Sequence, residues 1–119
     1  MSFFSYRQNN TGGSFDTSMG LIVYVEARSA EEADMRAESV GLYFDGRGDC
    51  RCCGPRWSNA YGEPDHQTLA EVQADVAEQI DYAIRQSCPI SILPADATTL
   101  TFIVGMADQI EALPAPLES

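Results

Sequence analysis

Two capping boxes determine where helices can begin in this chain. Ser29 and Thr68 are each followed, three residues later, by a glutamate, Glu32 and Glu71. In such a box the hydroxyl oxygen accepts the backbone N–H of the glutamate, and the glutamate carboxylate reaches back toward the cap. This satisfies N–H groups that the first turn of a helix leaves open. We therefore predict one helix after Ser29 and a second after Thr68.

Each predicted helix carries apolar residues at helical spacing. In the first helix Ala33, Ala37 and Val40 share one face, and Gly41 ends the helix because glycine adopts the left-handed conformation at little cost. The second helix ends before Cys88-Pro89, since proline cannot continue it. The apolar stripe of the second helix consists of Leu69, Val72, Val76, Ile80 and Ile84.

Five short segments have the composition and alternation of β-strands. They are residues 3–8, 21–27, 42–44, 90–93 and 99–104. We predict an α+β fold of order β-β-α-β-α-β-β, in which both helices pack on one face of a small antiparallel sheet. The 119 residues are the length of one ordinary domain, which we assign to residues 1–113, with 114–119 as a frayed C-terminal tail.

The formal net charge is −11, and all seven basic residues are arginines. This balance argues against a duplex-DNA binder held by many phosphate contacts and against docking on an anionic membrane. It suits a cationic protein partner, but solubility alone also explains it. Residues 1–7 lack the regions of a secretory signal, and no stretch reaches the ~18 apolar residues of a membrane span. We expect a cytoplasmic protein.

Three of the four cysteines, Cys50, Cys52 and Cys53, lie within four residues. Cys50 and Cys53 form a C-x-x-C pair that could direct two thiolates at one zinc ion, with His66 and Cys88 as the remaining ligands. A complete zinc site usually shows two such pairs, so reduced, partly buried thiols are the stronger alternative. Cysteine catalysis with His66 as the base has no local signature to support it.

Three arginines, Arg47, Arg51 and Arg56, reverse the sign of the charge locally within ten residues. Guanidinium groups bind phosphate oxygens, glycines nearby expose backbone N–H groups, and Trp57 could stack on a base or ring. The segment therefore predicts a small anion-binding pocket. The alternative is that these arginines form surface ion pairs with the neighbouring acids Asp45, Asp49 and Glu63.

A second candidate loop, residues 9–15, offers the amides of Asn9 and Asn10 and two glycines beside Arg7. It is neither a dinucleotide-binding fingerprint nor a P-loop, which requires lysine. The loop either lines the same pocket as the arginine cluster or is simply a long hairpin turn.

The sequence resembles a family of small tailed-phage proteins of unknown function. The resemblance covers residues 3–64 and rests on an N-N-x-G-G-S-F loop at 9–15, G-L-Y-F-D-G at 41–46, D-C-x-C-C-G-x-R-W at 49–57 and Y-G-E-P at 61–64. The segment between Phe44 and Cys50 is shorter than the family pattern, and the helix after Thr68 lies outside the resemblance. The resemblance implies an accessory protein made in the cytoplasm of an infected bacterium and carries no activity with it.

The favoured hypothesis is a binding protein without catalysis that sequesters a small phosphate-bearing ligand, for which a host-defence nucleotide signal is the candidate. Arg7, Arg47, Arg51 and Arg56 would bind phosphate, Trp57 would stack, and Asn9 and Asn10 would form hydrogen bonds. One alternative is an acidic protein-binding module that inhibits a host protein through Glu71, Asp75 and Glu78. Another is a zinc-stabilised structural domain. No catalytic triad or cofactor fingerprint favours an enzyme, and homo-oligomerisation is left open.

Overall fold

The computed structural model describes residues 2–9, 19–44, 56–60 and 63–103. Its strands and helices, in chain order, are β1 (Ser2–Arg7), β2 (Ile22–Ala27), α1 (Ala30–Ser39), α2 (Leu69–Arg85), β3 (Ile90–Leu93) and β4 (Thr101–Ile103). The strands form one sheet in the order β1-β2-β3-β4. In the part of the chain that is described, neither helix is long and apolar enough to cross a membrane.

The sheet is mixed, which confirms the α+β class but corrects the predicted antiparallel sheet. β1 pairs antiparallel with β2, and β3 pairs antiparallel with β4, whereas β2 and β3 are parallel, with Tyr24 opposite Ile92. Parallel neighbours need a long crossover between them. Here the crossover contains both helices.

The two helices pack on opposite faces of the sheet, not on one face as predicted. All six residues of β2 are buried, and successive side chains of a strand point to opposite faces. Ile22 and Tyr24 belong to the core under α2, and Val23 and Val25 to the core under α1. We call these the α2-side core and the α1-side core. The helix residues buried in them are Leu69, Val72, Val76 and Ala83 for α2 and Ala33 and Ala37 for α1.

Residues 42–44, predicted as a strand, form none. Gly41 has φ +118°, and its N–H donates to the carbonyl of Glu38, while the N–H of Leu42 donates to the carbonyl of Ala37. This is the Schellman arrangement that closes a helix. It uses the N–H of Leu42 for the end of α1, and the Leu42 side chain packs into the α1-side core.

Both predicted capping boxes are confirmed. The N–H of Glu32 donates to the Ser29 hydroxyl over 3.2 Å, and the N–H of Glu71 donates to the Thr68 hydroxyl, also over 3.2 Å. Helix starts were thus readable from a local pattern because the contacts that make them span only three residues.

A tyrosine–aspartate hydrogen bond ties each helix to the sheet. The Tyr6 hydroxyl of β1 donates to Asp34 of α1 over 2.8 Å, and the Tyr24 hydroxyl of β2 donates to Asp75 of α2. Burial, followed by the bonded aspartate, raises the pKa of both tyrosines well above the ordinary value. Both pairs therefore favour the protonated tyrosine in the folded state.

These raised pKa values predict a loss of stability in alkali. Above the ordinary tyrosine pKa of about 10, the unfolded chain releases phenolic protons that the folded chain keeps. The unfolded state then binds fewer protons, so the free energy of unfolding falls as pH rises. Urea unfolding between pH 8 and pH 11 measures this slope. We expect Tyr24→Phe to flatten it and Tyr82→Phe, at an exposed position, to leave it unchanged; an unchanged slope in Tyr24→Phe would contradict the assignment.

Candidate functional site

The connection between the helices passes around the outer edge of β1. α1 and α2 lie on opposite faces, so the chain between them has to cross an edge of the sheet. Near one end of β1, Phe3 exchanges backbone hydrogen bonds with His66, at 2.8 and 3.1 Å. Just beyond the other end, the N–H of Asn9 donates to the carbonyl of Arg56 over 2.9 Å. Residues 56–60 and 63–66 therefore lie beside β1 and cover the edge of the sheet at both ends.

Between these two attachments, the edge of β1 is only partly covered. Alternate residues of an edge strand direct their N–H and C=O groups outward, and in β1 these are Phe3, Ser5 and Arg7. The N–H of Ser5 donates to Oδ2 of Asp65 over 2.8 Å. No described residue bonds to the carbonyl of Ser5 or to the backbone N–H and carbonyl of Arg7. Three outward backbone groups are left for a ligand.

A polar groove of about 460 Å³ lies along this part of the edge. Its volume falls within the range of small-molecule sites. The polar side chains that line the groove are those of Ser5, Arg7, Ser58, Asn59, Glu63 and Asp65.

One carboxylate holds the far wall of the groove in place. Asp34 of α1 accepts both the Tyr6 hydroxyl and the backbone N–H of Ala60 through the same oxygen, each over 2.8 Å. Asp34 therefore links α1, β1 and the 56–60 segment.

The described ends of the two predicted binding loops meet at the carboxyl end of β1. Arg7 and Asn9 are exposed, and Arg56, half-buried, is joined to Asn9 through the backbone. Its guanidinium also donates to Oε1 of Gln8 over 2.6 Å. The other predicted ligand-binding residues, Asn10, Arg47 and Arg51, lie outside the described residues.

Trp57 was predicted to stack on a ligand, but it lies in the α1-side core with only 1% of its surface exposed. Its indole Nε1 is buried and has no hydrogen-bond partner among the described residues. The ring is therefore covered in this structure, and a ligand could stack on it only if the surrounding core opened. Its large apolar surface explains the burial.

The two described members of the predicted zinc site lie far apart. Nε2 of His66 is 3.6 Å from Asp75 in the first half of α2, whereas the backbone N–H of Cys88 bonds to Ala83 near the end of α2. Eight residues separate Asp75 from Ala83, or ~12 Å of helix. Across the described segments, no three His, Cys, Asp or Glu side chains form a group suited to a metal. Cys50 and Cys53 lie outside those segments.

Sequence reasoning missed a cluster formed by Tyr24, Asp75 and His66. Asp75 was assigned to an acidic surface, yet it accepts the Tyr24 hydroxyl and lies beside His66. The rings of Tyr24 and His66 are 5.9 Å apart. The signal was available in the sequence, because Asp75 follows Val72 by three residues and so borders the apolar stripe of α2.

The chain belongs to the family described as Domain of unknown function (DUF7296), whose model matches residues 1–112. The match extends well past residue 64 and includes α2, which the resemblance seen in the sequence did not. A search of curated proteins gave no match, and a search of solved structures gave none.

The position of Arg56 depends on a buried contact between Gln8 and Gly20. Nε2 of Gln8 donates to the carbonyl of Gly20 over 2.9 Å, and Oε1 of the same side chain accepts a hydrogen bond from the Arg56 guanidinium. Gly20 has φ +133°, and a Cβ there would lie 2.7 Å from the hydroxyl oxygen of Ser91. That hydroxyl is already bonded to Met19, so it has little freedom to move.

We expect Gly20→Ala to lower the free energy of unfolding by about 2 kcal/mol or more, because backbone strain and a displaced buried hydrogen bond add together. Gly41→Ala is the matched control: φ is also positive, but the nearest atoms belong to the flexible end of Met19. Urea unfolding of both variants provides the comparison. Equal losses would show that crowding against Ser91 contributes nothing.

Proposed function

We propose that this protein binds a small phosphate-bearing ligand, without catalysis, where the carboxyl end of β1 meets residues 56–60. The observation that carries the proposal is the backbone bond between Asn9 and Arg56. Asn9 is the first residue of one predicted binding loop and Arg56 belongs to the other, so the described ends of the two loops are bonded to each other. The groove beside β1 opens next to the same anchor.

Charge supports an anionic ligand at this point. Arg7 and Arg56 are two of only seven basic residues in a chain of net charge −11, and both lie within two residues of Asn9 or are bonded to it. Arg7 makes no ion pair with a carboxylate of the described chain. Guanidinium groups bind phosphate through short, charge-assisted hydrogen bonds.

The resemblance to phage proteins supplies a biological setting for such a site. A phage accessory protein in the cytoplasm of its host would gain from sequestering a nucleotide signal of host defence. Sequestration requires tight binding and no chemistry, which fits a groove with no recognised catalytic motif. The overall negative charge would repel a polyanion such as duplex DNA, while the local positive charge of Arg7 and Arg56 would still attract a small anion.

Titration calorimetry with cyclic dinucleotides, cyclic trinucleotides and ADP-ribose derivatives tests the proposal. We expect at least one of these to bind and to be recovered intact. Arg7→Gln should weaken that binding about 10-fold or more, because it removes a charge-assisted hydrogen bond. Arg28→Gln is the control, since Arg28 is exposed and lies beyond the opposite end of β1, after β2.

Two results would contradict the proposal. One is that no compound in the panel binds. The other is an equal loss of affinity in Arg7→Gln and Arg28→Gln, which would indicate that the ligand is attracted by overall charge alone. Conversion of a bound compound into products would contradict the absence of catalysis.

The alternative of an acidic protein-binding surface on α2 receives less support. Two of its three residues have internal contacts. Glu71 accepts hydrogen bonds from a backbone N–H and a hydroxyl group at the start of α2, and Asp75 accepts one from the Tyr24 hydroxyl. Only Glu78 remains of the three as an exposed acid without such a contact. If this alternative holds, the captured host partner should be lost at high salt.

A further inference from the structure

The groove along β1 carries opposite charges at its two ends. Arg7 lines one end, while Asp65 and Glu63 line the other. Ser5, to which Asp65 is bonded, and Arg7 are ~7 Å apart along the strand, and Asn9 is a further ~7 Å away. A ligand that fills the groove is therefore best matched by one negatively charged end and one end rich in hydrogen-bond donors. The separation of the two ends of the groove is about the length of a nucleoside.

The acidic end of the groove is held rigidly. The backbone N–H of Asp65 donates to the carbonyl of Phe3 over 3.0 Å, and its Oδ2 receives the N–H of Ser5. Its Oδ1 and the carboxylate of Glu63 have no partner among the residues described. An ionised carboxylate accepts hydrogen bonds and donates none, so this end repels phosphate and attracts donors.

The groups along the edge follow a definite order. From Asp65 toward Arg7 they are the Asp65 carboxylate, the carbonyl of Ser5 and the backbone N–H of Arg7: two acceptors followed by a donor. The Watson–Crick edge of guanine carries the complementary order, with two neighbouring N–H donors followed by a carbonyl acceptor. Adenine and cytosine can donate their single amino group to the Ser5 carbonyl and accept the Arg7 N–H at the adjacent ring nitrogen, but they have no second donor for the Asp65 carboxylate. Guanine supplies a partner to all three groups.

We propose that this groove selects a guanine base, with the phosphate of the same nucleotide directed to Arg7 and Arg56. This inference rests on the proposed function and adds the identity of the base. The edge of β1 and Asp65 read the base, and the arginines hold the phosphate. The preference for guanine and the overall affinity therefore depend on different residues.

Titration calorimetry with guanosine, inosine and adenosine 5′-monophosphates tests the inference. Inosine lacks only the 2-amino donor of guanine, so we expect guanosine monophosphate to bind about 10-fold more tightly than inosine monophosphate. Adenosine monophosphate also offers no donor to Asp65, so it should bind no more tightly than inosine monophosphate. Arg7→Gln should weaken the binding of all three nucleotides by the same factor.

The variant Asp65→Asn isolates the reading of the base. Its amide oxygen can still accept the N–H of Ser5, but it presents a donor where the carboxylate presented an acceptor. We expect it to lower the affinity for guanosine monophosphate about 10-fold and to leave that for adenosine monophosphate unchanged. Should Asp65→Asn fail to fold, Glu63→Gln, at an exposed position, provides a second test, with Glu38→Gln as its control.

The outcomes separate the two proposals. Equal binding of the three nucleotides, together with a uniform loss in Arg7→Gln, would overturn the guanine inference and support the phosphate site. A preference for guanosine monophosphate that survives both Asp65→Asn and Glu63→Gln would also overturn the assignment to this groove. Failure of all three nucleotides, the cyclic nucleotides and the ADP-ribose derivatives to bind would overturn both proposals.

Discussion

The burial of β2 on both faces determines the rest of this structure. Every residue of β2 from Ile22 to Ala27 is buried, which requires a layer of helix on each side of the sheet. With α1 on one face and α2 on the other, the connecting chain has to pass around an edge. It passes around β1, and the incomplete cover that it provides there is the groove. The candidate site is thus a consequence of the fold and did not need a dedicated element of its own.

Much of the fold could be predicted from local patterns, but the placement of its layers could not. The capping boxes at Ser29 and Thr68 and the apolar segments of the strands involve residues close in sequence, so the sequence displays them directly. Glu26 shows where this fails. A glutamate that shares a strand face with Ile22 and Tyr24 is typical of an exposed face, yet Glu26 is buried, and its Oε1 accepts the backbone N–H of Ala95 over 2.9 Å. That partner is sixty-nine residues away, and nothing local indicates it.

The same distinction applies to the candidate site: some of its residues could be predicted from the local sequence, but its shape could not. Arg7, Asn9 and Arg56 could be selected because their residue types suit an anion and because glycine-bearing loops lie nearby. The groove itself could not be foreseen, since its walls come from residues 4–7 on one side and from 58–60, Glu63 and Asp65 on the other, which are brought together only by the path of the connection. The prediction for Trp57 was uncertain for a related reason. An aromatic ring beside arginines can stack on a ligand, but the same large apolar ring can also be buried in a core, which is where Trp57 lies. Whether it faces a ligand or the core depends on packing against distant residues such as Tyr6.

The double hydrogen bond to Asp34 gives α1 a role beyond covering the sheet. The same carboxylate oxygen receives the hydroxyl of Tyr6 and the N–H of Ala60, so the spacing between the strand edge and the opposite wall is fixed by where α1 sits. The width of the cleft therefore depends on the position of a helix that bonds to both of its walls but does not line it.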